Sequence, residues 1–330
     1  MRFRAYLAWL GVVWVLGGAP ARASECAPPS GISPCLDANA LWIGSGDARL
    51  FSLSSGTALG AGEVGLSVTL QALWRPLRLN VPSSNAAGRE VEFVAGALEQ
   101  DTTIAIGLGH HLELGLGLPL VLRQSGAGSE GLSSQDGASI DRSGERDPRV
   151  SLAWALEVGS FKLKPRLGLS LPFGNREGYL SAGSVVAAPA IPVALKYWRF
   201  ESVVELGLRL RSGVDLGGVR MGSQASLGLG VSFEVLQREL LLLGAEAFLQ
   251  PSLVDNRSAR APSSVDVSLL AAEYVVSVRS RPTNGDWSVA LGAGSALALA
   301  RESSSAGETR FVAPPGPSLR VLSELRYAPR

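Results

Sequence analysis

Apolar and polar residues alternate along most of the chain, in segments of about ten residues. In 64–72, every second position is valine, leucine or alanine, and glycine, serine, threonine or glutamine lies between them. Because successive side chains of a β-strand point to opposite faces, this pattern predicts strands with one apolar and one polar face. The further segments with this alternation are 103–109, 112–120, 150–156, 161–171, 191–197, 200–211, 227–235, 241–250, about 265–278, about 287–299 and about 318–327.

The connections between these segments alternate in length. Long connections are expected at about 76–101, 123–148, 174–188, 212–223, 251–264 and 300–317, and short ones at 110–111, 157–160, 198–199, 237–239 and 279–286. Bacterial outer-membrane barrels have short periplasmic turns and longer outer loops. The sequence therefore predicts an all-β fold, a transmembrane antiparallel up-and-down β-barrel of about 12 strands. Pro119 and Pro192 lie inside the pattern and are expected to mark strand ends or bulges.

The N-terminus has the features of an export signal. A short basic start precedes an apolar stretch from Ala5 to Gly18, and small residues at Ala21 and Ala23 fit a cleavage site. The apolar stretch is too short to span a bilayer. We therefore expect residues 1–23 to be a signal peptide, 24–62 a short periplasmic or luminal segment, and 63–330 an outer-membrane β-barrel of a Gram-negative cell.

Composition supports the same class of protein. Glycine accounts for 39 of 330 residues and charged residues for 18%, below the usual quarter of soluble domains. A chain that is apolar overall, without a long apolar run, fits strands that face lipid on one side and water on the other. The formal net charge of +1 gives no overall field that would recruit nucleic acid.

Cys26 and Cys35 are the two cysteines, and both follow the expected cleavage site. In an oxidising compartment they are candidates for a disulfide. The alternative, a metal site, would need further ligands, and the two histidines His110 and His111 are remote in sequence. These histidines share a tight turn, which also disfavours a catalytic role at the outer rim. We expect no enzyme activity, no metal site and no cofactor.

Charged residues on the polar faces are the candidate functional residues. Opposite charges can pair across a narrow lumen and plug it, which is the favoured interpretation, or rings of charge can select ions. The candidate lumen charges are Glu113, Lys162, Lys164, Arg166, Glu201, Glu205, Arg209, Arg211, Glu234, Glu246, Arg320, Glu324 and Arg326.

Three stretches carry a family resemblance, namely 35–42 (CLDANALW), 112–119 with 146–149 (LELGLGLP, RDPR), and 319–327 (LRVLSELRY). They resemble segments of myxobacterial β-barrel proteins of the OmpA family. The resemblance implies an outer-membrane barrel. Such barrels are often followed by a peptidoglycan-binding domain, but this sequence stops at Arg330, so peptidoglycan anchoring is not carried over.

The expected function is a non-catalytic outer-membrane barrel, either structural or a narrow channel. One alternative is a passive transporter of small solutes, hydrophobic ones included, with a lateral opening or kink near Pro119 or Pro192. A second is a soluble exported β-sandwich binding protein, in which the leucine and valine faces of two sheets would meet. Expected partners are outer-membrane lipid, the barrel assembly machinery that reads the last strand, and a small solute.

Overall fold

The computed structural model describes residue 26 and residues 33–81, 89–128, 140–216, 219–236, 240–253, 270–281, 286–297 and 316–329. The expected signal peptide lies outside these residues. Among the residues described, no helix is long and apolar enough to cross a membrane.

Antiparallel strands account for nearly all regular structure in the described residues. They are β1 (Val64–Val81), β2 (Arg89–Gly109), β3 (Leu112–Ser125), β4 (Gly144–Glu145), β5 (Arg149–Trp154), β6 (Leu156–Val158), β7 (Phe161–Leu163), β8 (Arg166–Ser170), β9 (Val186–Tyr197), β10 (Phe200–Arg209), β11 (Val214–Leu216), β12 (Val219–Met221), β13 (Gln224–Leu236), β14 (Leu241–Pro251), β15 (Leu270–Ser280), β16 (Trp287–Ala296) and β17 (Leu319–Tyr327).

The main sheet closes on itself. The first and last strands pair from Leu66 opposite Tyr327 to Trp74 opposite Leu319. Taking β5 with β6, and β7 with β8, as interrupted strands, the described residues form a closed barrel of 12 antiparallel strands. The predicted barrel fold is confirmed, because the strands form one closed sheet and not two sheets packed face to face. The soluble β-sandwich alternative is therefore wrong.

The strand connections alternate between short and long, as the sequence pattern predicts. Two-residue connections lie at His110-His111, Gly159-Ser160 and Trp198-Arg199, and both histidines, Gly159 and Trp198 have positive φ, as tight turns require. On the opposite side, the connection between β10 and β13 carries the small β11–β12 hairpin, and that between β3 and β5 carries β4.

The first connection differs from the prediction of a long loop at about 76–101. β1 continues to Val81 and β2 begins at Arg89, so the two strands form an extended hairpin. The register shifts between Trp74 and Leu77, where Arg75 has a φ of 49°. This bulge, next to Pro76, breaks the period-two pattern and hides the continuing strand from a reading of alternation alone.

The two prolines inside strands lie beside interruptions of the wall. β3 pairs with β5 up to Gly117 and with β4 from Leu120, so Pro119 falls between these pairings. β9 pairs with β8 up to Ala190 and with β7 from Val193, so Pro192 falls in the same kind of gap. A proline lacks the N–H that a continuous ladder needs, which explains these positions.

The outward face of the wall is apolar. Leu66, Leu70, Leu206, Leu291 and other leucines and valines of the strands are exposed, whereas soluble proteins rarely leave so continuous an apolar surface. At the short-turn end, the exposed aromatic residues form a girdle of the kind that lies at a membrane interface. Its members are Trp154, Phe161, Tyr197, Trp198, Phe200 and Trp287.

Candidate functional site: the barrel lumen

The inside of the barrel is occupied by the chain that precedes β1. Residues 33–59, called the luminal segment below, are mostly buried although they contain almost no regular structure. Phe51 is 0% exposed and packs with Leu41, Ile43 and the wall residues Val275 and Leu322. Leu50 and Leu53 form a second cluster with wall residues. The core of this molecule is thus the contact between the luminal segment and the barrel wall.

Asn39 holds the luminal segment to two strands of the wall, β2 and β17. Its side-chain Nδ2 donates to Oε2 of Glu99 at 2.7 Å. Its Oδ1 accepts from Arg320 at 3.0 Å, and Arg320 also forms an ion pair with Glu273 at 2.8 Å. Because buried polar groups need partners, these bonds fix the segment at one depth in the barrel.

Arg146 ties the outer connections to the same network. It donates to Asp37 and to Glu99 at 2.7 and 2.9 Å, and also to the carbonyl oxygen of Asn39. Arg146 lies between β4 and β5, outside the membrane-spanning strands. Burial opposes its charged form, but Asp37 and Glu99 outweigh this effect and raise its pKa.

The neighbouring Asp147 organises the long connection between β8 and β9. Its carboxylate accepts hydrogen bonds from the backbone nitrogens of Gly174 and Ala182, at 2.9 and 2.8 Å. Burial raises its pKa despite these bonds. The carboxylate is therefore engaged with the connection and is not a free charge of the lumen.

Two wall charges bind the backbone of the luminal segment. Glu246 accepts from the backbone nitrogens of Phe51 and Ser52, at 2.9 and 3.1 Å, and from the Ser52 hydroxyl. Arg326 donates to the carbonyl oxygens of Gly44, Gly46 and Ala48. The segment is thus held by charge-assisted bonds to its peptide groups, in addition to apolar packing.

Inward-facing glycines make room for the segment. A Cβ built on Gly292 would lie 2.6 Å from Cε2 of Phe51, and one on Gly230 would overlap Leu50. By contrast, a Cβ on Gly117 would meet nothing nearer than 3.5 Å. At Gly230 and Gly292, the polar face of the wall therefore forms a groove that receives apolar side chains of the luminal segment.

Most of the predicted lumen charges are brought together with opposite charges. The pairs of described residues are Lys164 with Glu113 (2.8 Å), Arg166 with Glu205 (2.7 Å), Glu201 with Arg49 (3.3 Å), Lys162 with Glu157 (3.6 Å), Arg320 with Glu273 (2.8 Å), and Glu324 with Arg279 (3.0 Å) and with Arg326. Lys162 and its partner lie at an exposed position near the short-turn end. Glu234 is half-buried near the same end of β13.

Arg209 and Arg211 are the predicted lumen charges that no carboxylate of the described residues pairs with. Nη1 of Arg209 lies 3.4 Å from Oε1 of Gln250, and its guanidinium stacks over the ring of Trp42 at 4.7 Å. The guanidinium of Arg149 stacks on the same ring at 4.9 Å. In Arg211, the buried Nε and Nη2 have no hydrogen-bond partner among the residues that the structure describes.

The described residues leave an inner and an outer cavity beside the luminal segment. The inner cavity, of about 100 Å³, extends along the walls of β5, β8, β13 and β14. The outer cavity, of about 70 Å³, lies among the longer connections, and its lining includes Asp147 and Arg211. Trp42 and Arg209 are among the residues that line both cavities, so the two cavities adjoin at these side chains.

Cys26 and Cys35 are joined by a disulfide with a Cα–Cα distance of 5.4 Å. Both sulfur atoms lie against Gly183, in the connection between β8 and β9. This position places the disulfide at the end of the barrel that carries the long connections.

The structure adds residues that sequence reasoning did not select. Chief among them are Asn39, Trp42, Glu99, Asp101, Arg146, Arg149, Glu273 and Arg279. Glu99 and Asp101 fall in the part of β2 that was predicted to be a loop. The family resemblance was the sequence signal that could have found some of them, because its stretches include Asn39, Trp42, Arg146 and Arg149.

His110 and His111 lie at the exposed turn between β2 and β3. Among the described residues, no group of three or more histidine, cysteine, aspartate or glutamate side chains is arranged to hold a metal ion.

Comparison with solved structures gives the same fold. The chain matches the COG4313 outer membrane channel from Pseudomonas putida F1 with a TM-score of 0.56 and 15% identity, covering 86% of this chain and 99% of that one. Weaker matches include the NanC porin (TM-score 0.46, 7% identity, 81% and 99% covered) and a FadL homologue of Pseudomonas aeruginosa (0.43, 9%, 88% and 98%). At these identities the likeness concerns the fold alone. No family model and no curated protein matches the chain.

Proposed function

We propose that the protein is a non-catalytic, narrow channel of the outer membrane, in which the luminal segment sets the width of the path. The observation that carries this proposal is the pair of cavities that meet at Trp42 and Arg209. They run beside the docked segment from the longer connections towards the middle of the barrel.

The size of the cavities limits what could pass. A water molecule occupies about 30 Å³ in the liquid, so cavities of about 100 and 70 Å³ hold only a few waters. With the segment docked, the path fits water, small ions or very small solutes. Larger solutes would need the segment to move.

The exterior supports outer-membrane lipid as the surroundings, with the aromatic girdle at the short-turn end facing the periplasm. The same proposal includes export by a signal peptide and insertion by the barrel assembly machinery through β17. Membership of the myxobacterial OmpA-family barrels is also part of the proposal, and the stretches quoted above support it.

Two linked measurements test the proposal. First, unheated and boiled protein are compared on a detergent gel, where a closed barrel migrates differently before and after heating. Second, the folded fraction is inserted into planar bilayers. Small, steady conductance steps would support a narrow channel. Heat-modifiable protein without any conductance would contradict it and leave a structural barrel.

A passive transporter of small hydrophobic solutes is the second candidate. The wall interruption beside Pro192 favours it, together with the apolar side chains of Leu36, Pro76 and Leu77 in the outer cavity. The ion pairs that cross the lumen weigh against it. Uptake of a hydrophobic fluorescent probe by proteoliposomes, faster than by protein-free vesicles, would support transport, whereas equal rates would contradict it.

A further inference from the structure

Two arginines of the outer cavity form no ion pair with a carboxylate of the described residues. Arg209 and Arg211 are alternate inward-facing residues at the end of β10, and both line this cavity. Neither forms an ion pair with a described carboxylate. A buried guanidinium without a partner is costly, and Nε and Nη2 of Arg211 have no hydrogen-bond acceptor in the part of the chain that the structure describes.

The carboxylates of the outer cavity are already engaged. Asp37 accepts bonds from Arg146, and Asp147 accepts from the backbone nitrogens of Gly174 and Ala182. They are therefore held in other bonds and do not form ion pairs with the two arginines.

The inner cavity differs, because each of its carboxylates forms an ion pair with an arginine. Its lining includes Asp101 with Arg149 (3.2 Å) and Glu205 with Arg166 (2.7 Å). Its third carboxylate, Glu273, pairs with Arg320. In the outer cavity, Arg209 and Arg211 share the lining with Asp37 and Asp147 and form an ion pair with neither.

Contact with Trp42 leaves arginine donors available. The guanidinium groups of Arg149 and Arg209 both lie over the Trp42 ring, 4.9 and 4.7 Å from its centroid. A cation–π contact holds a guanidinium in place, and N–H groups that do not point at the ring remain donors. Nη2 of Arg149, a residue only 8% exposed, also has no acceptor among the described residues.

We propose that Arg209 and Arg211 form a binding site for a small oxyanion, a carboxylate or phosphate group, in the outer cavity. Arginine forks match the geometry of such groups and bind them through two parallel hydrogen bonds. The cavity of about 70 Å³ accepts one small anion. The inference deepens the proposed function by naming the ligand class, but binding is measurable without transport.

The test uses the folded full-length barrel in detergent, with inorganic phosphate as the probe. The temperature at which the heat-modifiable form is lost is measured over a range of phosphate concentrations, with chloride added to keep the ionic strength constant. The double variant Arg209→Gln/Arg211→Gln is compared with wild type. The matched control is Arg123→Gln, which removes an exposed arginine at the end of β3.

We expect phosphate to stabilise wild type and R123Q, and the double variant to lose at least about tenfold in apparent phosphate affinity. R209K/R211K keeps the charge but loses the fork, so an intermediate affinity is expected, and this variant covers the case in which the glutamine pair fails to fold. Phosphate can also stabilise a protein because it is excluded from protein surfaces in general. Equal stabilisation of all variants would indicate this general effect and would contradict the site. Absence of any stabilisation of wild type would contradict it as well.

Bilayer recordings separate this inference from the proposed function. If the barrel conducts, a KCl gradient should give a reversal potential that favours chloride, and R209Q/R211Q should reduce that preference. Phosphate binding in a barrel that does not conduct would support the site and contradict the channel. Conductance without a phosphate effect would support the channel and contradict the binding site.

Discussion

Nδ2 of Asn39 lies 2.7 Å from Oε2 of Glu99, and this bond joins the luminal segment to β2. Oε2 of the same glutamate also accepts from Arg146 at 2.9 Å and from Gln71 at 3.2 Å. On its other side, Asn39 accepts from Arg320. One amide therefore connects the luminal segment to β2 and β17, the two strands that flank β1, and the position of the segment depends on it.

Replacing Asn39 with alanine should loosen the luminal segment. The change leaves Glu99 and Arg320 with fewer partners in a buried network, at a cost of about 1–3 kcal/mol. We expect larger or more frequently fluctuating conductance steps in planar bilayers, because the segment would undock more often.

The control for this change is Gln100→Ala. It removes the side-chain amide next to Glu99 in sequence, which donates to the Thr102 hydroxyl at 3.1 Å, away from the luminal segment. If N39A and Q100A gave the same conductance as wild type, Asn39 would not hold the segment in place.

Replacing Gly292 with alanine should destabilise the barrel. The new methyl group would lie 2.6 Å from Phe51, a fully buried side chain, and overpacking of this kind costs about 1–3 kcal/mol. We expect a lower urea midpoint for unfolding in detergent micelles. Gly117→Ala, whose methyl group has 3.5 Å to its nearest neighbour, should stay close to wild type, and an equal loss in both variants would contradict the groove.

The fold was predictable because a barrel strand repeats its pattern every second residue. The alternation and the unequal loops locate most strands to within a few residues, as at β10 and β16. The pattern fails where the backbone bulges, at Arg75 and Pro76, because a bulge changes which face the following residues occupy. Glu99 and Asp101 were placed in a predicted loop for another reason: the alternate positions Gln100 and Thr102 are polar, so the apolar alternation is absent there.

The lumen was less predictable because its key contacts are distant in sequence. The charges that face inwards follow from alternation, so Glu113, Lys164 and Glu205 were found. Their partners depend on strand tilt and on the luminal segment, which has no repeating pattern. Glu246, for example, binds the backbone of Phe51 and Ser52, 194 residues or more away in sequence, and a backbone N–H leaves no signal in a sequence.

Replacing Lys164 with methionine should be more damaging than removing both charges of its ion pair. Lys164 and Glu113 are 3% and 2% exposed and 2.8 Å apart, and Glu113 also accepts from the backbone of Leu59. Removing one partner of a buried pair leaves an uncompensated charge and costs about 3–5 kcal/mol. K164M/E113Q should recover part of this loss in urea unfolding.

Lys196→Met, at an exposed position of β9, is the matched control and should change stability little. If K164M/E113Q were less stable than K164M, the two charges would not be coupled as the distance indicates.

Removing the disulfide should loosen the start of the luminal segment while leaving the barrel closed. The bond spans nine residues, for which loop-closure entropy predicts a contribution of about 3 kcal/mol. Just after Cys35, the backbone nitrogen of Ala38 donates to the carbonyl oxygen of Tyr179 at 3.1 Å. In C26S/C35S, we expect this amide to exchange with solvent deuterium faster than in wild type, because local opening is no longer opposed by the crosslink.

Amides of β17 such as that of Leu322, 0% exposed, should exchange at the wild-type rate. Faster exchange throughout β17 would show that the disulfide stabilises the whole barrel. Unchanged exchange at Ala38 would show that the disulfide stabilises neither the start of the luminal segment nor the barrel.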